Sequence, residues 1–589
     1  MAVTEKDRKA NSALGSLQAL TAAALILPGL APAQAAEDNE FSFQYGRYEE
    51  SKRDLGGVKS QFDPITVDSL QTTANVRFTD RIKFAFKYVQ DTWSGATPIS
   101  TAPSSRRGNL AYQNGTVAGA SPWLNTGDTG IGDGIVAFDS QLRPVKTKFD
   151  IDKFEVLNLG LDKRNVHTMS IASPEVRKEG SFGLTYEWDE ATVSAGGGLS
   201  IENDYESRFA NLGFTLDFNQ KMTTLSGGFS YANSSTSARL NHDAQTYINS
   251  LAYDGSVPEL MPRYAKVQTI PESVGDQKLL RGKREDWTVN LGLTQIINKS
   301  ALVKFGVGYT RSTGYMSNPY KAVTAFFLDP VTPFDGACGG LDCPSGVSYV
   351  GQAKAFLEQR PEVRNQWSFN TGWVQYIDPL DAALHFDYRF YHDDWGINAH
   401  TFEADWVQPI GTGWSITPRI RYYSQSEADF YSPFLIVQSA TDDPVTRLSS
   451  DNAKLPTQTF SSDHRLSGYG ALSGGVTVSK QFTKGVRFDA GFEYYTHQGS
   501  LKIGGGGEPD YADFDYWVAN GSVSVEFSAI GRSLTDHDHH HHDMTEHEPL
   551  MPAGLMCVGG HMLNKEGDFM VGYVYQYLRE TGNMLNRTS

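Results

Sequence analysis

The sequence predicts an all-β protein, a transmembrane antiparallel up-and-down β-barrel of about 16 strands with a His/Met-rich C-terminal extension. Two observations carry this. Segments throughout the chain alternate apolar and polar residues at a period of two, and tight turns alternate with long loops between them. A third removes the helical alternative: after the N-terminus no run of 18 apolar residues occurs, and mean hydropathy is −0.39.

The alternation is clearest at 380–425. One face carries Ala382, Leu384, Phe386, Tyr388 and Phe390, the other Ala383, His385, Asp387, Arg389 and Tyr391. Phe402, Ala404 and Trp406 then oppose Glu403 and Asp405, and Trp414, Ile416, Ile420 and Tyr422 oppose Thr417, Arg419 and Arg421. Charges of both signs at mid-strand would be costly in a packed sandwich core. They suit a wall with lipid on one side and a polar lumen on the other.

In chain order, residues 1–36 read as a secretory signal. Lys6, Arg8 and Lys9 precede an apolar stretch through Leu27, and Pro32-Ala33-Gln34-Ala35-Ala36 offers small residues for cleavage after Ala35 or Ala36. Sixteen strands are expected at 39–50, 64–78, 82–93, 181–189, 192–203, 205–218, 221–233, 284–297, 300–313, 363–377, 380–391, 396–409, 413–425, 463–480, 485–499 and 514–528. Tight turns rich in Asn, Asp, Gly and Pro follow the even-numbered ones, for example Asp189-Glu190-Ala191 and Gly411-Thr412-Gly413. Irregular loops follow the odd-numbered ones, the longest near 94–180, 234–283, 314–362 and 426–462. That rhythm is expected of a barrel at 37–529 with both termini on the periplasmic side. In the closing strand Trp517, Ala519, Val523, Val525 and Phe527 should face lipid, and Asn520, Ser522, Ser524 and Glu526 the lumen.

Aromatic girdles are expected at both interfaces, from Trp188, Tyr376, Trp406, Trp414 and Phe482 beside the short turns and from Trp93, Trp287, Trp367, Trp517 and Tyr315 toward the long loops. Inside, His385, Asp387, Arg389, Glu403, Asp405, Arg419, Arg421, Arg487, Asp489 and Glu493 should line the lumen. They would serve as cross-strand ion pairs or as a charged, selective pore. Sixteen strands leave room for an aqueous channel, which loops this long could plug.

A net charge of −17 argues against nucleic acid or anionic lipid as a partner. Cys338 and Cys343 bracket four residues and should pair in the oxidising compartment, leaving Cys557 over. No enzyme is expected. His392-Asp393-Asp394 and His400 lie near an outer rim, but no nucleophile accompanies them, and Gly504 to Gly507 lack the helix that phosphate capture needs.

The chain resembles the uncharacterised bacterial outer-membrane family catalogued as domain of unknown function 3570. The matching pieces include SGATP at 94–98, NQKMTTLSGGFSY at 219–231 and LTQIINKSALVKFGVGYTRSTGYMSNPYK at 293–321. Others are RPEVRNQWSF at 360–369, DYRFYHDDWGI at 387–397, RIRYYSQSEADFY at 419–431 and SSDHRLSGYGALSGGV at 461–476. The resemblance implies a barrel in the outer membrane of a Gram-negative bacterium and implies no activity and no functional residue.

Residues 530–589 depart from that pattern. Half of the 14 histidines and most of the 11 methionines of the chain fall here. His537, His539, His540, His541, His542, His547, Met551, Met556, Cys557, His561, Met562 and Met570 form a candidate metal site. Imidazole suits Cu(II), Zn and Ni, whereas thioether and thiolate select Cu(I), so copper is the expected ion of a tail that offers both. The segment MPAGLMCVGGHMLNKEGDFMVGYVYQY also resembles a Met/His motif of outer-membrane proteins associated with copper handling. The expected whole is an outer-membrane barrel with a periplasmic, copper-binding tail, acting in metal handling or transport. Its expected partners are outer-membrane lipid and a metal ion, with a periplasmic protein as a further candidate. The alternatives are a general porin or small-solute channel, or a membrane scaffold for periplasmic partners.

Overall fold

A computed structural model describes residues 39–527, apart from 55–58, 61, 107–134, 241–264, 271–276, 333–335, 339, 439–458 and 484. Its strands are β1 (Glu40–Glu50), β2 (Thr66–Thr79), β3 (Ile82–Pro103), β4 (Ile135–Phe138), β5 (Pro144–Asp150), β6 (Glu155–Leu161), β7 (Asn165–Glu187) and β8 (Ala191–Ile201). They continue as β9 (Tyr205–Phe218), β10 (Thr223–Leu240), β11 (Ala265–Ile270), β12 (Gln277–Asn298), β13 (Ala301–Gly314), β14 (Ala322–Pro330), β15 (Tyr349–Leu357) and β16 (Val363–Ile377). The last are β17 (Ala382–Asp393), β18 (Asn398–Ile410), β19 (Trp414–Gln425), β20 (Leu435–Gln438), β21 (Tyr469–Thr483), β22 (Val486–Gln498) and β23 (Phe514–Glu526).

Seventeen strands form one sheet, of which β11 pairs only with β12. The other sixteen run antiparallel to their neighbours, and β1 pairs with β23 from Glu40↔Glu526 to Glu50↔Tyr516, closing the wall. Closure matters because an open sheet edge cannot be satisfied within lipid. The sixteen coincide with the sixteen expected segments. Several run further than the sequence suggested: β7 starts at Asn165 rather than 181, β10 continues to Leu240 and β12 starts at Gln277. One starts later, since 463–468 is turn and β21 begins only at Tyr469.

The outer face is apolar and exposed. Phe41, Phe43 and Tyr45 on β1, Phe214, Leu216 and Phe218 on β9, and Trp287, Val289, Leu291 and Leu293 on β12 all point out. Leu291 and Phe305 are 54% and 53% exposed. A belt of this extent far exceeds the few hundred Å² that a soluble surface tolerates, and hydrocarbon is the solvent it fits. The chain is an outer-membrane-type barrel. Trp188, Trp414 and Phe482 stand exposed by the short turns and Trp287 and Trp367 toward the loops, as girdles should. Three expected girdle residues do not. Trp93 is 1% exposed and turns inward with Tyr48, Ile65, Val67, Tyr516 and Val518, while Tyr315 and Tyr376 are likewise buried. A one-residue change of phase reverses the face of a strand residue, and placement along the strand alone does not give that phase.

Among the described residues the long connections are not wholly irregular. Parts of three of them build a second sheet of six strands, in the order β20-β14-β15-β4-β5-β6. Both of its faces are covered: Val323, Ala325 and Phe327 pack with Phe356, Leu435, Val437 and Phe460, and Phe326 and Leu328 pack on the opposite side with Val136 and Phe138. A disulfide joins Cys338 to Cys343 beside Ala137, Val145 and Val350. Alternation failed to flag these strands because both faces are apolar and each is short.

Candidate functional site

The loops that carry this sheet all leave the wall at one end, opposite the short turns and the termini, and they fold over the mouth. Two glycines turn them inward. In Ser94-Gly95-Ala96-Thr97-Pro98 the β3–β7 pairing shifts register at Trp93/Gly95 and again at Pro98/Ser100. Gly95 has φ +122°, and a Cβ there would lie 2.2 Å from the Pro64 carbonyl oxygen. Beyond that bend Ala96–Pro103 is buried on both faces, so this hairpin no longer belongs to a lipid-facing wall. Gly314 repeats the device where β13 ends, with φ +117° and the Lys283 carbonyl oxygen 2.2 Å from its would-be Cβ.

Among the described residues of the loops at this end Asp463 gathers the most ion pairs. Its carboxylate takes Lys321 Nζ at 3.1 Å, an Arg360 nitrogen at 2.8 Å and an Arg465 nitrogen at 2.5 Å. Glu358 pairs with Arg360 Nε at 2.9 Å and accepts from Ser461 Oγ and the Asn318 N–H, each at 2.5 Å. The side chains of Asp463, Arg360 and Glu358 have no exposed surface. Burial by itself would raise the Asp463 carboxyl, but Arg465, Lys321 and Arg360 overcome it and hold Asp463 well below the usual carboxylate range. Burying ions costs several kcal/mol each, an expense that only good mutual pairing offsets.

Contacts across the mouth show how far these loops reach. Asp204, between β8 and β9, accepts from Tyr320, which follows β13. Lys321 pairs with Asp463, which precedes β21, and the next residue, His464, packs its ring 5.3 Å from that of His167 at the start of β7. The chain of contacts therefore passes from one side of the ring to another and back. A second buried pair fixes the rim: Arg364 donates to Asp393 at 2.6 and 2.8 Å and lies 4.1 Å over the Trp395 ring.

Below the cap the lumen is wet. The register turns all ten expected luminal residues inward, on β17, β18, β19 and β22. His385 Nδ1 lies 2.8 Å from Asp405, Arg419 pairs closely with Glu403, and Arg487 meets Asp489 at 3.0 Å. The side chains of His385, Asp405, Glu403, Arg419, Arg421 and Arg487 retain 20–25% exposure. The facing arc differs, being lined by hydroxyls and amides: Thr192, Ser194 and Ser200 on β8, Ser207, Asn211 and Thr215 on β9, and Thr224, Ser226 and Ser230 on β10. A solute in this lumen meets paired charges on one side and mainly neutral hydrogen-bonding groups on the other, where Asp217 of β9 adds one carboxylate bonded to Thr224.

Other candidates fare differently. His392 and Asp393 diverge: His392 is exposed beside Asn398, whereas Asp393 is buried on Arg364. His400 is bonded to Tyr388. The four glycines Gly504 to Gly507 lie in a loop between two 3-10 turns. Among the described residues no group of three or more His, Cys, Asp or Glu is placed to hold a metal ion. The signal segment and His537, His539, His540, His541, His542, His547, Met551, Met556, Cys557, His561, Met562 and Met570 lie outside the described residues. The mouth cluster of Lys321, Glu358, Arg360, Asp463 and Arg465 went unnoticed in the sequence. Its signal was the charge within otherwise loop-like matching motifs, SNPYK, RPEVR and SSDHR.

The model of the family described as "Protein of unknown function (DUF3570)" matches residues 17–518. No curated protein matches the chain. Solved structures similar to it include a bacterial polysaccharide outer membrane secretin, with 7% identity, TM-score 0.33 and coverage of 84% of this chain and 99% of that one. Another is OccK1 of Pseudomonas aeruginosa, with 8% identity, TM-score 0.30 and coverage of 83% and 98%. A third is the TodX deltaS2S3 mutant monoaromatic hydrocarbon channel, with 9% identity, TM-score 0.32 and coverage of 86% and 94%. None of these likenesses transfers a functional residue to this chain.

Proposed function

We propose that this chain, which belongs to the family of proteins of unknown function (DUF3570), is an outer-membrane channel for small polar solutes whose mouth is closed by its own loops. One observation carries the reading: a sixteen-strand lumen lined by water-accessible charges lies beneath loops tied to one another by Lys321–Asp463 and to the wall by the contacts of His464 with His167 and His497. Paired charges facing a hydroxyl-lined arc favour polar over apolar solutes. Planar-bilayer recording of the purified chain tests this. The intact protein should show little steady conductance, and Asp463→Ala should raise it on the order of tenfold or more by loosening the cap. A barrel that stays silent with the cap loosened is not a channel, and the alternative of a membrane scaffold for periplasmic partners would take its place.

The His/Met-rich tail supports a second part of the reading, copper binding on the periplasmic side. Phe527, the last described residue, donates its N–H to the Asn39 carbonyl at 3.1 Å, at the end of the barrel with the short turns. Short turns are periplasmic in such barrels. His537, His539 to His542 and His547 offer imidazoles, and Met551, Met556, Cys557, Met562 and Met570 offer soft sulfur beside His561. Cu(I) titration against a competing chelator, comparing the full chain with one lacking 530–589, is the check. Equal copper uptake by the two would reject the tail as the site.

A further inference from the structure

Three histidines meet where the cap touches the wall. His464 follows Asp463 in the 3-10 turn His464–Leu466, His167 sits in the part of β7 that projects past the bend, and His497 is the last residue but one of β22. The His464 ring centroid is 5.3 Å from that of His167 and 6.1 Å from that of His497, and all three residues are at most 3% exposed. Rings surround them: Tyr511 lies 5.1 Å from His167, Tyr469 3.8 Å from His497, and Phe514 4.8 Å from His497 and 5.9 Å from His464. Thr101 Oγ1 is 3.1 Å from His167 Nδ1.

The charges facing this cluster are Arg53, Lys321 and Asp463, with Arg360, Arg465 and Glu358 directly behind Asp463. Arg53 is stacked 3.8 Å over Phe514 and pairs with Glu50 at 3.1 Å, and Tyr511 is bonded to Glu508. Asp463 is the nearest carboxylate, 3.8 Å from His464 Nδ1, and both its oxygens are already engaged by three cations. A proton on any of the rings therefore adds positive charge to a dry region whose nearest carboxylate is already taken up by cations.

We infer that His167, His464 and His497 form a proton-operated latch, holding the cap against the wall while neutral and releasing it when protonated. The inference rests on the channel reading for its consequence, though not for its geometry. Burial depresses His167 and His464, and the nearby Arg53 and Lys321 depress both further. A histidine kept neutral in the closed state costs that state nothing above the ordinary imidazole value of about 6.5, and weakens it progressively as pH falls below that value. Up to three protons taken up on opening would change the closed-to-open ratio by up to about a thousandfold per pH unit.

The test uses the purified full chain, comparing about pH 7.5 with about pH 5, which bracket the imidazole range. Two measurements are made: bilayer conductance, and hydrogen exchange of 459–468 corrected for its intrinsic pH dependence. Acid should raise conductance and speed exchange of that segment by roughly tenfold or more in the wild type. His464→Phe, and separately His167→Gln, should blunt both responses; the second keeps a polar group should the first fail to fold. Exchange that quickens in acid with no conductance at either pH would uphold the latch and overturn the channel reading. Conductance with exchange indifferent to pH would overturn the latch and leave the channel reading standing. Variants that respond to acid as the wild type does would also overturn the latch.

Discussion

Two ends of one barrel use the same kind of ion pair to different ends. Near the mouth Arg364–Asp393 and Arg360–Asp463 have side chains at most 2% exposed. Lower down, Arg419–Glu403 and Arg487–Asp489 face the lumen from the strands and keep up to a quarter of their surface in water. A dry pair cannot lose one member without stranding a buried charge, whereas a wet member is rehydrated at once. The mouth pairs therefore fix structure, and the lower pairs set the field along the lumen.

That contrast is sharpest at Asp463. Asp463→Ala leaves Lys321, Arg360 and Arg465 buried around a missing carboxylate and should cost the cap about 3–5 kcal/mol. The expected result is faster proteolysis within 315–362 while the barrel stays folded, read by limited digestion in detergent micelles. Arg364→Met tests the rim pair. It should cost about 3 kcal/mol by stranding Asp393, with its largest effect on hydrogen exchange around Trp395 and Ile397, whose N–H groups Asp393 also accepts. Replacing Cys338 and Cys343 together by Ser removes a short cross-link and should loosen the six-stranded sheet by about 2 kcal/mol, again measurable as exchange in β4 and β15. The smallest stability effect belongs to the wet wall. Arg419→Gln should alter unfolding by less than about 1 kcal/mol, yet shift the cation-over-anion preference of an opened channel, read as a reversal potential. If Arg419→Gln proved as damaging as Arg364→Met, the distinction between dry and wet ends would fail.

The aromatic positions show where reading the sequence stopped short. Trp188 and Trp414 fall where their place beside short turns puts them, since both lie on the lipid phase of the pleat. Trp93 has the same amphipathic ring and a comparable place near a long loop, yet it points inward and closes a cluster with Tyr48 and Tyr516. The nine luminal Asp, Glu and Arg residues were legible because such groups between apolar neighbours admit only one phase in a membrane wall. Asp463 and Lys321 were not, because each lies in a turn-like stretch and the two stand over a hundred residues apart in sequence.

The sequence by itself determined the wall: sixteen alternating segments, the side on which the long loops fall and the luminal charges, with Cys338 and Cys343 close enough to pair. These follow from local periodicity and short spacing, which a single chain displays along its length. Only the tertiary structure decided that the loops form a second sheet, that Gly95 and Gly314 bend them over the lumen, and that His167, His464 and His497 come together. Those outcomes depend on contacts between loops rooted on opposite sides of the ring, and such contacts are set by burying apolar and paired groups together and leave no period in the sequence.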